Sequence, residues 1–392
     1  MLFMIILKVK LMYIERLNNI DSIIDLQNKF YKEHHIFPYN VSNWTVSNEF
    51  RNTMEQVFHL ENDISPIDYL YSYNISRETR EKIMLKLGLK ENIVPYKTCV
   101  FFPNNSLSIV NVCNLLQKKA MKKVGIINPA YFSIAACLDT CKINHESLSV
   151  KRINQEYIFP LEEVLAEKFD AVWITSPIYS TGTCYSETEI NKIKVLLETG
   201  ILVIADESFC IQGKELVRFF AKYDNFIGIY SPHKALSINS YKFSVIVADI
   251  ETEDFFEQWL DIFCGNLPQT TIAAIYHYLS DNFEECHDAF EFFISNSLNV
   301  LSDILHKFDN VSTDNTIYGN MMTLYIAGLD YNSTQQLNFI QKVIECTHTL
   351  YYPGSLNGFS DDFGMCFRIN LALYSPQFLS ALQRLLIFLS NI

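Results

Sequence analysis

The stretch of this chain whose residue types and spacing best suit chemistry is 229–247, IYSPHKALSINSYKFSVIV. Lys234 follows Ser231 by three residues and precedes Lys242 by eight, on a short loop predicted between the apolar run at Ile227 and Ile229 and the β-branched run Val245–Val247. A lysine in a mostly buried pocket loses the solvation of its ammonium, so its pKa falls and a free amine becomes available to attack a carbonyl. The hydroxyl before it and the second cation after it suit a phosphate. The same residues also read as two solvated lysines beside a sheet, the commoner fate of lysine. A second cation stands in an unusual place: Arg368 lies inside the apolar run CFRINLA, 366–372. A buried cation needs an anionic partner, either a structural carboxylate or that of a substrate.

Short apolar runs alternate with helical patterns ahead of these residues. Strands are predicted at Cys99–Phe102, Lys123–Asn128, Ala171–Thr175 and Ile201–Ala205, with helices running through Lys119, through about Asp139, and over about Ser186–Glu198. Fully apolar strands alternating with helices indicate an α/β fold with a parallel sheet buried on both faces. Ligands of such sheets sit beyond the carboxyl ends of the strands. Asn104–Ser106, Tyr131, Ser176–Gly182, Asp206 and Ser231–Lys234 each follow a strand directly, so five clusters on one sheet edge describe a site.

The 392 residues, 49% of them hydrophobic, suffice for a large core and suggest two or three domains. A net charge of -13 argues against a nucleic-acid partner, which requires a basic face. The ten cysteines form no CxxC pair, which predicts reduced thiols, no metal site and a cytoplasmic location. The opening seven apolar residues lack a basic region before them and a cleavage site after them, and are too short to span a bilayer. They read as a strand, an arm, or the product of an early start, Met12 being the next plausible one; no membrane association is expected. Residues 12–37 read as helix, the polar segment 37–48 as turns around an exposed Trp44, and Ser65-Pro66 as the start of another element. Ser76 caps a helix that buries Ile83, Leu85 and Leu87 and ends at Gly88. No Lys or Arg occurs from Phe243 to His306, and the tail from Ser333 reads as helix, loop, strand and closing helix.

The order of these features resembles the class I/II aminotransferases, fold-type I enzymes dependent on pyridoxal 5'-phosphate (PLP), from roughly Tyr39 to the end of the chain. The resemblance implies a large domain with a mostly parallel seven-stranded sheet between helices and a smaller α/β domain from both termini. The expected division is an arm and part of the small domain at 1–45, the PLP-binding domain at 46–285 and the small domain at 286–392. Lys234 matches the Schiff-base lysine of the Ser-x-x-Lys motif, and Asp206 in ADESF the aspartate that keeps the pyridine ring protonated as an electron sink. Tyr131 matches the aromatic that stacks on the ring; with Lys234 and Asp206 it completes the catalytic candidates. Arg368 in FRINLA matches the clamp on the substrate α-carboxylate.

The implied phosphate cup comprises Asn104, Asn105 and Ser106 at a helix N-terminus, with Ser231 and Lys242, and Asn104 stands where a glycine is usual. Lys242 replaces an arginine, so a bidentate contact becomes a point charge. Tyr71 and the segment GNLPQTT, with Thr270, match parts that reach a partner subunit's phosphate, which implies a homodimer with shared sites. The family's Asn-Pro-x-Asn-Pro-Thr-Gly reads Ser-Pro-Ile-Tyr-Ser-Thr-Gly here, placing Tyr179 where an asparagine bonds the ring oxygen, while Phe209 replaces the tyrosine that shares that task. Val41, Ser42, Asn43 and Trp44 stand in place of a glycine loop near the substrate carboxylate, with Asn43 and Trp44 the substrate-binding candidates. The implied activity is amino transfer between an amino acid and a 2-oxo acid, in a specialised biosynthetic pathway given these substitutions. Other α-carbon chemistry on PLP (elimination, racemisation, decarboxylation, cyclisation) is the alternative, and a fold that has lost catalysis a second one. The cation-free stretch before GNLPQTT favours a neutral, aromatic or basic side chain over that of aspartate or glutamate.

Overall fold

The computed structural model describes residues 20–60, 70–329 and 335–392. The expectations for the opening apolar run, Met12 and Ser65-Pro66 lie outside the described residues. Seven strands form the larger sheet: β1 Lys97–Phe102, β2 Lys123–Asn128, β3 Asn144–Ser149, β4 Ala171–Thr175, β5 Leu202–Glu207, β6 Phe226–Tyr230 and β7 Ser244–Asp249. Their spatial order is β1-β7-β6-β5-β4-β2-β3. Strands β2 to β6 run parallel, and β7 runs antiparallel to both β6 and β1. Every residue of β4 and β5 is buried, as the unbroken apolar runs require of strands covered on both faces.

The crossover helices begin at side-chain caps. Asn104 accepts from the Leu107 amide to start Asn105–Lys118, and Ser186 accepts from the Glu189 amide to start Glu187–Glu198. Ser76 likewise caps Arg77–Lys86, and Ile83 and Leu87 of that region are buried. Leu85 is not: it is 40% exposed, because residues two apart in a helix point to nearly opposite sides.

A second, four-stranded antiparallel sheet places Met365–Asn370 between Met321–Ile326 and Tyr352–Pro353, with Val311–Ser312 outermost. The helices Gln336–Thr347 and Pro376–Ser390 complete this part, and Tyr39–Asn40 joins it by pairing in parallel with Thr349–Leu350. Both ends of the described chain therefore build the smaller unit. The boundary expected at 285 falls inside one continuous helix, Asp281–Leu305, which carries no Pro or Gly to mark a division. The helix Asn48–Val57 packs on it, with the Phe50 ring edge-on to Phe290 and Phe293. Among the described residues no helix is long and apolar enough to cross a membrane.

Candidate active site

The connections that leave the carboxyl ends of β1, β2, β4, β5 and β6 enclose, with the segment at Trp44 and the strand carrying Arg368, a cavity of about 570 Å3. Asn105, Tyr131, Ser176–Gly182 in part, Asp206 and Lys234 line it, so each of the five strand-end clusters contributes. Gly182 is required where this wall meets the smaller sheet. Its φ is +72°, and a Cβ there would lie 2.3 Å from the Met321 carbonyl oxygen.

Lys234 sits on a short helix, Pro232–Ala235, rather than on the loop expected. Its Nζ lies 4.4 Å from the centroid of the Phe209 ring and 5.8 Å from that of Tyr131. Burial lowers its pKa from the usual lysine range; the nearby Asp206 carboxylate opposes that shift and Lys242 adds to it. Asp206, at the end of β5, accepts from the Ser208 amide at 3.1 Å, from the Ser208 hydroxyl, and from the Asn105 side-chain amide at 3.4 Å. Glu207, the next residue, points to the other face of the sheet. One of its oxygens accepts from the Leu216 amide at 2.8 Å, the Tyr230 phenol faces it, and burial raises its pKa to about 8.

Arg368 is 2% exposed and has no carboxylate partner among the described residues. Its Nε and one terminal nitrogen donate to the Ser42 carbonyl at 3.2 and 3.1 Å, and the other terminal nitrogen donates to Asn357 Oδ1 at 3.4 Å. Trp44 lies against the guanidinium at 3.7 Å from ring centroid to Cζ, and Tyr352 at 5.3 Å. Ser42 fixes this arrangement, its hydroxyl donating to the Arg368 carbonyl at 2.5 Å and accepting from the Tyr352 amide at 2.8 Å. Burial lowers the arginine's pKa, opposed by Tyr179 and Tyr352. The Tyr179 phenol is itself pushed up to about 12 by burial, a shift that the nearby Arg368 guanidinium opposes. The ring of the substituted tyrosine lies 6.0 Å from that of Tyr131.

The expected cup is only partly assembled in this cavity. Asn105 and Lys242 line it, whereas Asn104 and Ser106 do not. The Asn104 side chain is taken up in capping its own helix, and Ser106 is exposed. Ser231 is buried and lines a separate cavity of about 20 Å3 behind β6, together with Glu207 and Tyr230. Trp44 and Phe209 line the main cavity and stack on each other at 5.6 Å, while Asn43 is absent from the lining and its side chain accepts from the Thr45 amide. Tyr71, half-buried, and Thr270, exposed, also lie outside the cavity wall.

Several lining residues escaped the sequence reading. Ser208 could have been found, since a hydroxyl two residues after an aspartate commonly folds back on it. Ser237 and Asn239, between the two lysines, and Asn320, Tyr352 and Asn357, from distant segments, carry no comparable local signal. Thr175 Oγ1 and Ser180 Oγ are buried in the wall with no hydrogen-bond partner among the described residues. Polar atoms left so are suited to a polar ligand.

No family model and no curated sequence matches the chain. Solved structures do match its fold. An Escherichia coli protein identified with a methionine aminotransferase function superposes with a TM-score of 0.73 at 13% identity, over 93% of this chain and 96% of the other. A Pyrococcus horikoshii kynurenine aminotransferase does so with 0.73 at 11% identity, over 93% and 94%. A PLP-bound C-S lyase from Staphylococcus hominis gives 0.69 at 16% identity, over 91% and 93%. The fold is that of the fold-type I aminotransferases, as the sequence resemblance implied.

Proposed function

We propose that this cavity holds PLP on Lys234 and exchanges amino groups between an amino acid and a 2-oxo acid. The observation that carries the proposal is the pairing, within one cavity, of a half-buried lysine disfavoured as an ammonium and a buried arginine that lacks an acidic partner among the described residues. The first suits a nucleophilic amine, and the second a substrate carboxylate. The residues fit the cofactor: aromatic rings flank Lys234 on the Phe209 and Tyr131 sides, Asp206 lies close enough to influence its charge, and Lys242 adds a cation.

PLP, when bound, supplies an aldehyde carbon for amines and a protonated ring that accepts the electron pair left at the substrate's α-carbon. Asp206, held by Ser208 and Asn105, is the carboxylate that keeps a proton on the ring nitrogen. Lys234 anchors the cofactor and then carries the α-proton as general base and acid. Arg368 orients the substrate by its carboxylate, with Ser42 and Asn357 fixing the guanidinium. Lys242 and Asn105, at the start of helix Asn105–Lys118, would hold the phosphate, and Tyr179 would take the role of the missing asparagine.

The dimer is part of this reading. Tyr71 and Thr270 lie outside the cavity wall of their own chain, and exposed Ile262, Phe263 and Tyr276 offer an apolar face to a second copy. We place the enzyme in the cytoplasm and in a specialised biosynthetic role. Elimination is the second reading, favoured by the C-S lyase among the similar structures. Incubation of PLP-loaded protein with a panel of amino acids and 2-oxo acids, followed by mass spectrometry, tests both. New amino acid and oxo acid pairs support transfer; ammonia with an oxo acid and no new amino acid supports elimination. No product from loaded protein would overturn the proposal.

A further inference from the structure

We infer that the amino acid taken by this cavity has a large, uncharged, aromatic side chain, an inference that rests on reading the cavity as an amino-acid site. The charges lining it are few: Lys234, Lys242, Arg368 and Asp206. Each has a task in holding cofactor or α-carboxylate, so among the described residues no cation remains for a second carboxylate and no acid for a basic side chain. A charged substrate side chain would be desolvated there without a partner, which is costly. A second copy does not remedy this from the segment expected to approach the shared site, because 243–306 contains no Lys or Arg.

The remaining wall is uncharged, with neutral polar side chains such as Ser237, Asn239 and Asn320 beside a larger apolar part. Ile20, Trp44, Phe132, Tyr318, Met321 and Leu356 line it with apolar and aromatic surface. Trp44 is 41% exposed, yet it is fixed between two partners, stacked on Phe209 at 5.6 Å with 24° between the ring planes and seated on Arg368 at 3.7 Å. A tryptophan so held beside the carboxylate clamp presents free ring surface next to the point where the substrate is anchored. Aromatic rings pair favourably with such a surface in stacked or edge-on geometry.

Substrate analogues without an amino group read this preference without turnover. Calorimetric titration of the protein with 3-phenylpropanoate, glutarate and propanoate is expected to show 3-phenylpropanoate binding at least ~30-fold tighter than glutarate. Trp44→Ala should weaken 3-phenylpropanoate about tenfold, and propanoate by less, with Trp44→Phe recovering most of the loss. Glutarate binding as tightly as the aromatic acid, or Trp44→Ala weakening both monoacids equally in folded protein, would overturn the inference. PLP loading is measured separately on the same sample. Failure to load contradicts the proposed function, whereas a preference for glutarate in loaded protein contradicts only the side-chain assignment; cofactor-free protein still reports the preference through Arg368.

Discussion

Asp206 and Glu207 are neighbouring carboxylates at the end of one strand, and the alternation of a β-strand sends them to opposite sides of the sheet. Asp206 enters the cavity, where a serine amide, a serine hydroxyl and an asparagine amide donate to it. Glu207 enters the packed region behind β6, where burial holds its proton up to about pH 8. One side of the strand surrounds its carboxyl group with hydrogen-bond donors at a ligand cavity, and the other buries the same functional group so that it stays neutral. Chemistry here is assigned by surroundings rather than by residue type.

The comparison breaks most readily by removing the charge on the cavity side. Asp206→Asn is expected to lower kcat/KM by about 10²–10³-fold, the scale of losing one preorganised electrostatic contact. Glu207→Gln should change it by no more than about threefold. Equal losses in steady-state assays of the two variants would erase the distinction. Arg368→Lys keeps the cation and loses the fork, so KM for the amino acid should rise about tenfold or more.

The Glu207 side is sharpened by pH. Its proton is held more tightly in the folded chain than in the unfolded one, so the folded state binds the extra proton between about 4.5 and about 8. The stability contributed by the neutral carboxyl is fully present below about pH 4.5 and is lost as pH rises towards 8, at up to about 1.4 kcal/mol per pH unit. Denaturant titrations at pH 5 and pH 8 should therefore show a smaller loss for Glu207→Gln than for the parent. A parallel pH dependence of the two proteins would contradict a neutral Glu207. Ser208→Ala removes one of the donors to Asp206 and should cost about 1–2 kcal/mol in transition-state stabilisation, read from kcat/KM as a loss smaller than that of Asp206→Asn.

How much of this was legible in the sequence depends on whether the signal is local. The parallel strands announced themselves because a strand buried on both faces is apolar throughout, and their carboxyl ends then placed Tyr131, Asp206 and Lys234 together. Arg368 stood out because a cation in an apolar strand conflicts with its neighbours. Strand β3 left no such mark, for Asn144–Ser149 is a polar edge strand held by backbone pairing to β2. Ser42, in the segment matched to the glycine loop, holds the arginine through its backbone carbonyl, and Asn357 does so from across a turn, so residue type and spacing assign neither contact. Ser231, matched to the cup through its neighbours, sits at the turn into helix Pro232–Ala235 and lines the smaller cavity.

The central claim is that Lys234 is the amine to which the cofactor attaches. Borohydride reduction of the protein after incubation with PLP, followed by peptide mapping, tests this directly. The account predicts one pyridoxyl group per chain, on the peptide carrying Lys234, and none in Lys234→Ala. Cofactor fixed to another lysine, or none fixed to the folded parent protein, would contradict it.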